Sequence, residues 1–495
     1  MKNPSYKLIF ISIIAILFLY GGIRLADQSQ IVTTFPLETL NDVSSYMTML
    51  YFLHEFGYHE MVYKWYAPEG FKLFETDPPG WYYFTYPLYL ILKDVKPATF
   101  VSLIIMYILM AILFVIMGKI EKLSRLETWA FFALFAFSPM AIGDYVRQMR
   151  MPQMFSWISL LALFAIIFYY KNKKINWKFL IISPFIALLI LSHQLETVLF
   201  FFVVLPCIFL LKKSFRERTI IFLSALLGIL LSAFWLVPFL LNSTNSPKLE
   251  YAGSRWLLEF SGGFQFANIA GIALGIALLA VFALYFYKNK NLKNELLFFS
   301  PIIIIDILFL TRLVVYLPII KHVYIDAYMQ FFAFFFLLIL FKCYKRFSFM
   351  KYVMALLPIG FILVSLLHTP WFVTPTQEEL DSLKIFEDVK GIYTFASKWS
   401  SPRLYTMAFV CYAAIYYPIN SSTGWSLSES IEHRRKTAEF QQAFSDNNKE
   451  NFLRLTQELN IDEIISYGTA DCNRLGEFGL NFKIKKSMLC LYSVK

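Results

Sequence analysis

Residues 42–92 decide the fold and read DVSSYMTMLYFLHEFGYHEMVYKWYAPEGFKLFETDPPGWYYFTYPLYLIL. In the first part, apolar residues recur at helical spacing and predict an amphipathic helix, which Gly57 ends: Tyr46, Met49, Leu50, Leu53 and Phe56. From Asp77 onward, aromatic side chains return towards an apolar run, and such rings favour the boundary between lipid and water. Long loops inside compact proteins are usually functional. The stretch therefore predicts a structured loop over 26–97 that connects two membrane spans.

The composition excludes a soluble globular protein. The 495 residues are 58% hydrophobic, include 53 Phe and 30 Tyr, and have a mean hydropathy of +0.57. A soluble chain of this size has too little interior for so much apolar surface. The fold class is therefore a polytopic α-helical membrane protein. The net charge of +11 does not predict a nucleic-acid partner, because the basic residues cluster in short loops between apolar runs.

Eleven apolar runs predict eleven transmembrane helices within a membrane domain over residues 1–368. Some are shorter than the ~20 residues that usually cross the hydrocarbon. The first run is not followed by a small-x-small cleavage site, so it predicts an uncleaved anchor. The runs are 7–25, 98–118, 126–142, 152–170, 177–192, 195–211, 218–241, 265–287, 296–311, 323–341 and 350–368.

The charges of the loops predict the orientation of the chain. Loops on one side contain twenty lysines and arginines, whereas the opposite short loops contain six: Arg147, Arg150, Lys248, Arg255, Arg312 and Lys321. The positive-inside rule therefore predicts a cytoplasmic N-terminus and an outer position for the 26–97 loop at the plasma membrane. An odd number of spans places everything after His368 outside as well. The rule predicts few basic residues in the outer loops. We therefore expect a reason other than membrane topology for the presence of these six.

Residues 369–495 have a soluble composition and predict a small extracytoplasmic α/β domain. A connecting helix is predicted within 378–399 and ends at Trp399–Pro402, and a strand is predicted from Arg403. Helices follow within 428–444 and 449–459, and Ser428 or Ser430 caps the first. A strand over 461–468 and a hairpin over 481–495 complete the domain. It contains no Gly-rich phosphate loop and no nucleophile elbow.

The five cysteines do not predict a metal site. Cys207, Cys343, Cys411, Cys472 and Cys490 show neither a CxxC pattern nor a spacing paired with histidine, as a structural zinc site requires. Cys472 and Cys490 can pair in an oxidising exterior, but Cys411 then stays odd, so the disulfide is left open. No cofactor is indicated.

Ionisable residues at the outer ends of the spans are the candidates for chemistry, because charges near the hydrocarbon are costly and usually functional. A carboxylate can accept the proton of an attacking hydroxyl, and arginines match the oxygens of a leaving phosphate. The pattern predicts group transfer from a membrane-bound phosphate donor. The candidates are Glu38, Asp42, Asp77, Asp144, Arg147, Arg150, His193, Glu196, Arg255, Asp306, Arg312, His322 and Asp326.

Each candidate also has a plainer role. Asp42 can simply begin the amphipathic helix, where an acid interacts well with the helix dipole, and Asp77 can serve a turn before two prolines. Arg150 can snorkel to lipid headgroups, and His193 can satisfy a hydrogen bond in a short turn. Three pairs can simply neutralise or bond each other: Asp144 with Arg147, Asp306 with Arg312, and His322 with Asp326.

Short motifs follow one another in a characteristic order along nearly the whole chain. They are Asp42, Trp65, Gly70 and Pro78-Pro79 followed by Tyr83; then Gly143, Arg150 and Pro152-Gln153; then Ser192-His193; and finally Gly424-Trp425 with the strand over 461–468. In this order the chain resembles the GT-C glycosyltransferases. More specifically, it is similar to the bacterial and archaeal integral membrane proteins called 6-pyruvoyl-tetrahydropterin synthase-related, although it has no His-triad zinc pattern for pterin chemistry.

The resemblance implies an inverting glycosyltransferase with a polyprenyl-phosphate-linked sugar donor and a glycan, lipid or protein acceptor of the cell envelope. It implies Asp42 as the catalytic base and Arg150 and Arg312 as ligands of the donor phosphate. The other predicted substrate-binding residues are Arg147, His193, Asp77, Trp65, Glu196, Arg255 and His322. The first loop has no Asp-x-Asp and the outer domain no WWD motif. These departures put a divalent metal in doubt and argue against N-glycosylation of proteins.

Two other classes of function remain open. One is a lipid-linked glycan polymerase or transporter. A polymerase normally has its large outer loop late in the chain, and a transporter should show repeat-related halves, which this sequence does not. The other is a non-catalytic membrane scaffold with an outer binding domain. A scaffold would tolerate Asp42→Asn, whereas a glycosyltransferase would not.

Overall fold

The computed structural model describes residues 4–37, 42–212, 214–242, 257–258, 265–287, 292–397, 406–424 and 429–494. The chain divides into two compact units. The first, called the helical unit, comprises Met1–Gln28, Leu103–Val237 and Leu249–Trp371. The second, called the mixed unit, comprises Ser29–Ser102, Pro238–Lys248 and Phe372–Lys495. The mixed unit therefore combines the first loop with the C-terminal segment.

Helices dominate the chain up to residue 371. They are α1 (Pro4–Gln28), α2 (Val43–Glu55), α3 (Gly80–Leu92), α4 (Val95–Ile120), α5 (Arg125–Ala136), α6 (Pro139–Ala141), α7 (Met151–Lys171), α8 (Ile182–Ile190), α9 (Gln194–Leu199), α10 (Leu205–Leu211), α11 (Phe215–Leu231), α12 (Ala233–Asn242), α13 (Gln265–Tyr287), α14 (Leu292–Leu310), α15 (Ile325–Cys343) and α16 (Met350–His368). The amphipathic helix predicted after Asp42 is α2.

Seven helices in the described part of the chain are long and apolar enough to cross a membrane. The number is nine if each of two bent pairs is counted as one span: Arg125–Ala136 with Pro139–Arg147, bent by 50°, and Phe215–Leu231 with Ala233–Asn242, bent by 75°. The predicted spans 177–192 and 296–311 are helical as well. However, Trp177–Ile190 is short, and Leu292–Leu310 carries Lys293, Glu295 and Asp306. Eleven membrane crossings therefore stay a prediction.

The first bend has a local cause. The helix α5 ends at Phe137, and Ser138 begins the next turn by accepting a hydrogen bond from the Ala141 N–H at 3.2 Å. Pro139 cannot donate a backbone hydrogen bond to the preceding turn, so the helix cannot continue straight. The chain then forms a π-helical turn over Ile142–Arg147. This bend carries Asp144 and Arg147 to the end of the helical unit where α7 begins.

Two helices form the interior of the helical unit. Met151–Lys171 is 94% buried and Ile325–Arg346 is 89% buried, whereas each of the other five single spans is at most 39% buried. Their phenylalanines interdigitate, and the rings of Phe164 and Phe334 stack at 4.6 Å. Ion pairs hold the C-terminal ends of both helices: the buried pair of Lys171 with Glu295 at 2.7 Å and the half-buried pair of Lys342 with Glu121 at 2.6 Å. Arg150 and Asp326 stand at the opposite, N-terminal ends of these two helices.

The C-terminal segment forms a mixed five-stranded sheet with helices. Its helices are α17 (Gln377–Ser382), α18 (Thr406–Tyr416), α19 (Ile431–Ser445), α20 (Lys449–Glu458) and α21 (Gly468–Glu477). A short hairpin in the first loop contains β1 (Met61–Val62) and β2 (Phe71–Lys72). The sheet contains β3 (Ile392–Phe395), β4 (Asn420–Ser421), β5 (Glu463–Tyr467), β6 (Asn481–Lys486) and β7 (Leu489–Ser493), in the order β4-β3-β5-β7-β6. The strands β3, β4 and β5 are parallel, and β6 and β7 are antiparallel additions.

Several element predictions for this segment are confirmed and two are wrong. The hairpin, the strand over 461–468 and the two helices after Ser430 are present, and Ser430 accepts the hydrogen bond of the His433 N–H at 3.1 Å. The predicted strand from Arg403 is instead the helix Thr406–Tyr416, which is buried on most sides; a short apolar run does not distinguish these states. The predicted connecting helix ends at Ser382 and leads into β3.

The described structure contains one disulfide bond and three free cysteines. Cys472 and Cys490 are disulfide-bonded and join α21 to β7. Cys411 is a free, fully buried cysteine of α18, so an odd thiol is compatible with the disulfide. Ser428 and Trp399–Pro402 lie outside the described residues.

The first loop and the C-terminal segment share one core within the mixed unit. The helix α2 packs against α18, and the Thr48 hydroxyl donates to the Cys411 carbonyl at 3.3 Å. Backbone hydrogen bonds join the loop to β4: the Ala67 N–H donates to the Ser421 carbonyl at 2.9 Å, and the Ser421 N–H donates to the Lys64 carbonyl at 3.0 Å. The first loop is therefore a structural part of this unit and not a connection.

Gly424→Ala is expected to destabilise the mixed unit by about 1–3 kcal/mol. An added Cβ would lie 2.6 Å from the Trp65 Cβ, and Trp65 cannot move aside because it is fully buried against Phe52. Thermal unfolding in detergent measures the effect as a lower Tm. Gly360→Ala is the matched control, since no atom lies within 4 Å of its added Cβ. Equal Tm values for the two variants would contradict the prediction.

Candidate functional site

Arg150 stands where the chain enters the most buried helix. The π-helical turn over Ile142–Arg147 ends with the Arg150 N–H donating to the Asp144 carbonyl at 2.9 Å. Pro152 lies in the first turn of α7, where it needs no hydrogen-bond partner. This local geometry brings the side chains of Asp144 and Arg150 together, although they are six positions apart in the sequence.

Arg150 is bound by two carboxylates. Its Nη1 forms an ion pair with Asp326 Oδ2 and lies 3.7 Å from Asp144 Oδ1. The amide of Gln330 donates to Asp144 Oδ2 at 3.0 Å, and the Tyr145 hydroxyl donates to Gln330 Oε1 at 2.6 Å. We call these five side chains the Arg150 network. Asp326 therefore pairs with Arg150, a partner 176 residues away that spacing along the chain does not reveal.

Two buried arginines accompany this network in the helical unit. Arg147 is 3% exposed and Arg24 is 1% exposed, and their positive charges lie close enough to repel each other. Arg24 donates to the carbonyls of Thr369 at 3.1 Å and Pro370 at 2.6 Å, and its guanidinium stacks on Trp371 at 4.3 Å. We did not predict Arg24. The signal was available, since an arginine inside an apolar span is functional by default.

His193 and Glu196 form a dyad in the short turn before α9. The Nδ1 of His193 is bonded to Glu196 Oε2, and Glu196 is fully buried. The second carboxylate oxygen of Glu196 has no hydrogen-bond partner among the described residues. The Thr197 hydroxyl fixes the turn by donating to the His193 carbonyl at 2.8 Å. A carboxylate on Nδ1 sets the orientation of the ring and leaves Nε2 for another partner.

Two further residues that were predicted to bind substrate, Arg312 and His322, lie in the segment after α14. Arg312 has a positive φ of 64° and donates to the Phe309 carbonyl at 3.5 Å. His322 ends a 3-10 turn, Ile320–His322, which packs against α9 and hence beside the His193–Glu196 dyad. Arg255 and Glu38 lie outside the described residues.

Asp306 does not neutralise Arg312. The carboxylate of Asp306 is fully buried, and neither oxygen has a hydrogen-bond partner in the described part of the chain. It lies against the bare face of α13, since a Cβ added to Gly275 would be 2.7 Å from Asp306 Oδ1. The alternative in which Arg312 neutralises Asp306 is therefore wrong, because the aspartate faces the neighbouring helix α13.

In the mixed unit, the charges of Asp77 and Asp42 both act on one tyrosine, Tyr82. Burial raises the pKa of the Tyr82 hydroxyl well above its usual range, and the charge of Asp77, the Tyr46 ring hydroxyl and the charge of Asp42 raise it further. Tyr82 thus stays a neutral hydroxyl beside two carboxylates. Sequence reasoning did not single out Tyr82, although its place directly after the Asp77–Pro79 turn was visible.

Asp42 is half-buried and precedes α2 in helical backbone conformation, with φ −63° and ψ −16°. Its side chain accepts no capping hydrogen bond from the first turn of this helix. A conventional N-cap has extended backbone and an accepting side chain. Asp42 is therefore not a side-chain cap of α2, although its place directly before the helix is compatible with the plainer role as an acid that interacts with the helix dipole.

Trp65 lies in the core of the mixed unit. It is fully buried, with ring centroids 5.0 Å from Phe52 and 5.9 Å from Phe71, and it contacts Gly424. Two residues of the sequence motifs are thus in contact: Trp65 of the first loop and Gly424 of the C-terminal segment. The second residue of the later motif, Trp425, lies outside the described residues.

A titratable cluster joins the same two segments. The Nε2 of the buried His433 bonds to the Ser422 carbonyl at 2.6 Å, and its Nδ1 lies 3.8 Å from Glu69 of the first loop. Burial raises the pKa of the nearby Glu429 to about 7, and Glu69 adds to this while Arg434 opposes it. The folded state therefore binds a proton at Glu429 between about pH 4.5 and pH 7 that the unfolded chain releases.

The wild-type protein is expected to lose stability as the pH rises from 5 to 8. In Glu429→Gln this loss is expected to be absent. A raised carboxyl pKa means that folding favours the protonated form, so stability is fully present at low pH and falls as Glu429 ionises. The shift corresponds to at most about 3 kcal/mol. Tm measured against pH tests this, with the exposed Glu477→Gln as control. A pH slope that is identical in wild type and Glu429→Gln would contradict it.

The described residues contain no group of three or more histidine, cysteine, aspartate or glutamate side chains that is arranged to hold a metal ion. The candidate residues described above provide carboxylates, guanidinium groups, an imidazole dyad and a neutral phenol. Such a set can move a proton and bind an anion.

No protein-family model and no curated protein sequence matches the chain. Solved structures do match its fold. The archaeal oligosaccharyltransferase AglB from Archaeoglobus fulgidus, in complex with an inhibitory peptide and a dolichol-phosphate, aligns with a TM-score of 0.52 and 11% identity over 94% of this chain and 70% of that chain. Its apo form aligns with a TM-score of 0.52 and 12% identity over 92% and 69%.

The arabinofuranosyltransferase AftD from Mycobacteria aligns with a TM-score of 0.58 and 10% identity over 96% of this chain. This chain spans only 39% of the length of AftD. AglB and AftD are both membrane glycosyltransferases of the GT-C fold. At this level of identity the similarity shows the fold alone, and it does not reach the pterin-synthase-related family.

Proposed function

We propose that this protein is an inverting GT-C glycosyltransferase that moves a sugar from a polyprenyl-phosphate-linked donor to a glycan, lipid or protein of the cell envelope. The observation that carries the proposal is the fold, which matches a transferase whose structure holds dolichol-phosphate and a second that transfers arabinofuranose. The Arg150 network and the Asp42–Asp77–Tyr82 group provide the anion-binding and proton-accepting side chains that such a reaction needs.

In the proposed reaction, the carboxylate of Asp42 accepts the proton of the acceptor hydroxyl as its oxygen attacks the anomeric carbon. The bond between this carbon and the phosphate oxygen breaks, so the configuration inverts and the polyprenyl phosphate leaves with the bonding electrons. A positioned base contributes typically 10²–10⁴-fold to such a step. Asp77 and Tyr82 would orient Asp42 or the acceptor, because the charges of Asp42 and Asp77 both act on the Tyr82 hydroxyl.

The leaving phosphate gains negative charge, which arginines stabilise through charge-assisted hydrogen bonds. Arg150 is the first ligand in the proposal, and Arg147 and Arg312 are further ligands. His193 would donate to a phosphate oxygen from Nε2, since Glu196 holds its Nδ1. The remaining substrate-binding assignments, Trp65, His322 and Arg255, stay predictions. The burial of Trp65 favours support of the first loop over contact with sugar.

The proposed orientation has the N-terminus in the cytoplasm of a multi-pass plasma-membrane protein, with 1–368 in the membrane and 369–495 outside. The segments that make up the mixed unit support one part of this orientation, namely that the first loop and the C-terminal segment share a side of the membrane. Segments 29–102, 238–248 and 372–495 belong to one compact unit and must lie on one side of the membrane. The predicted runs place an even number of spans between each consecutive pair of these segments, as this requires.

The test is transfer from a panel of radiolabelled polyprenyl-phosphate sugars by membranes that overproduce the protein. Label that appears in an envelope glycan, lipid or protein, with release of polyprenyl phosphate, supports the proposal. A transporter would instead carry the intact labelled lipid across a vesicle bilayer without breaking its sugar–phosphate bond. A scaffold would do neither. Absence of transfer from every donor would overturn the proposal.

A further inference from the structure

We propose that the Asp326 carboxylate binds the guanidinium of Arg150 when no donor is bound, and that the donor phosphate displaces this carboxylate when it binds. Asp326 is then a positioning residue that controls how tightly the enzyme holds the polyprenyl phosphate. The inference rests on the proposed function, because it assumes that Arg150 binds a phosphate. It adds a residue and a role that the fold similarity does not supply.

The two carboxylates on Arg150 are held in different ways. Asp144 is 8% exposed and is fixed through Gln330, whose own amide oxygen accepts from Tyr145. Asp326 has a side chain that is 25% exposed, and among the described residues its second oxygen accepts a hydrogen bond only from the Ala327 N–H, at 2.9 Å. Asp144 is therefore built into the network, whereas Asp326 is the partner that can leave.

A displaced Asp326 has another favourable position. It stands in the first turn of α15, where backbone N–H groups carry partial positive charge, and it already accepts one of them. A carboxylate at a helix N-terminus is stabilised there. Moving from the guanidinium to the helix end therefore exchanges one favourable contact for another, so a phosphate does not have to compete with an unpaired charge.

Charge and shape both favour the exchange. Carboxylate and phosphate oxygens match the same fork of guanidinium donors, so they compete for one site. With Asp144 and Asp326 both bound, the three side chains of Arg150, Asp144 and Asp326 carry a net charge of −1, so Asp326 makes this position less favourable for a phosphate. Once Asp326 leaves, Arg150 and Asp144 are neutral together. Asp326 thereby keeps the arginine oriented in the empty enzyme and returns to eject the phosphate product.

The experiment measures binding of polyprenyl monophosphate without sugar to the purified full-length protein in lipid nanodiscs, together with steady-state transfer. Asp326→Asn removes the competing charge at constant shape. We expect it to bind the lipid phosphate about tenfold more tightly and to lower KM and kcat together, because product release slows. A purely structural role for Asp326 would lower Tm without tightening this binding.

Further variants separate the possible outcomes. Asp326→Ser also lacks the carboxylate and must show the same gain, so the test survives if one variant folds poorly. Asp326→Glu restores a carboxylate and should return binding towards wild type. Asp381→Asn, which removes an exposed pair with Lys384 at 2.8 Å, should change nothing. If the wild-type protein does not bind polyprenyl phosphate, the proposed function is overturned. If the wild type binds it and Asp326→Asn binds it equally or more weakly, this inference alone is overturned.

Discussion

Asp42→Asn is expected to lower sugar transfer by about 10²–10⁴-fold while Tm and donor binding stay near wild type. The amide cannot accept the proton of the acceptor hydroxyl, so kcat falls. The helix α2 should not be affected, because the Asp42 side chain makes no capping hydrogen bond to it. The measurement is the rate of label transfer at saturating donor, normalised to folded protein.

Asp94→Asn is the matched control in the same loop. Asp94 accepts from the Lys96 N–H at 2.9 Å at the start of α4, and asparagine serves this role as well as aspartate. Its transfer rate should equal that of wild type. If Asp42→Asn stays active and Asp77→Asn does not, the base is Asp77, and the assignment of Asp42 is wrong.

Arg150→Gln is expected to weaken binding of the lipid phosphate by roughly 30- to 4,000-fold, which corresponds to about 2–5 kcal/mol. The variant loses charge-assisted hydrogen bonds to phosphate and also leaves Asp144 and Asp326 beside each other without their cation. Both effects act against an anionic ligand. Arg150→Lys keeps the charge but loses the planar fork, so an intermediate loss is expected.

The double variant Arg150→Gln with Asp326→Asn distinguishes the two causes. It restores charge balance without restoring the phosphate ligand, so Tm should recover while binding stays weak. Arg454→Gln breaks an exposed pair with Glu458 and serves as the control for loss of an arginine. Donor binding that is unchanged in Arg150→Gln would remove this arginine from the phosphate site.

Local periodicity was enough to predict most elements, because helices and strands follow from side chains a few residues apart. It predicted α2, the helix after Ser430 and the hairpin over 481–495 from their own residues. It failed for Thr406–Tyr416, where a buried apolar run has no polar face to set a period. Eleven apolar runs were visible, but bends and charged residues determine which of them form complete spans.

Partners were harder to predict than elements. Charge and position selected Arg150, yet its ion pair with Asp326 depends on how two central helices align, and a single sequence contains no such information. The same limit hid the contact of Trp65 with Gly424, although both residues had been selected as motifs. Conversely, a possible pair at short spacing, Asp306 with Arg312, is absent since the aspartate faces α13.

The shared core of the mixed unit sets an order of events during synthesis. Lys64 of the first loop donates to the carbonyl of Tyr417, which the ribosome adds 353 residues later. At about 5–20 residues per second this interval lasts roughly 20–70 s. During that time the aromatic loop lacks the helix α18 and the strand β4 that pack against it. The segment made last, and not the first membrane span, therefore completes the folding of the loop that carries Asp42.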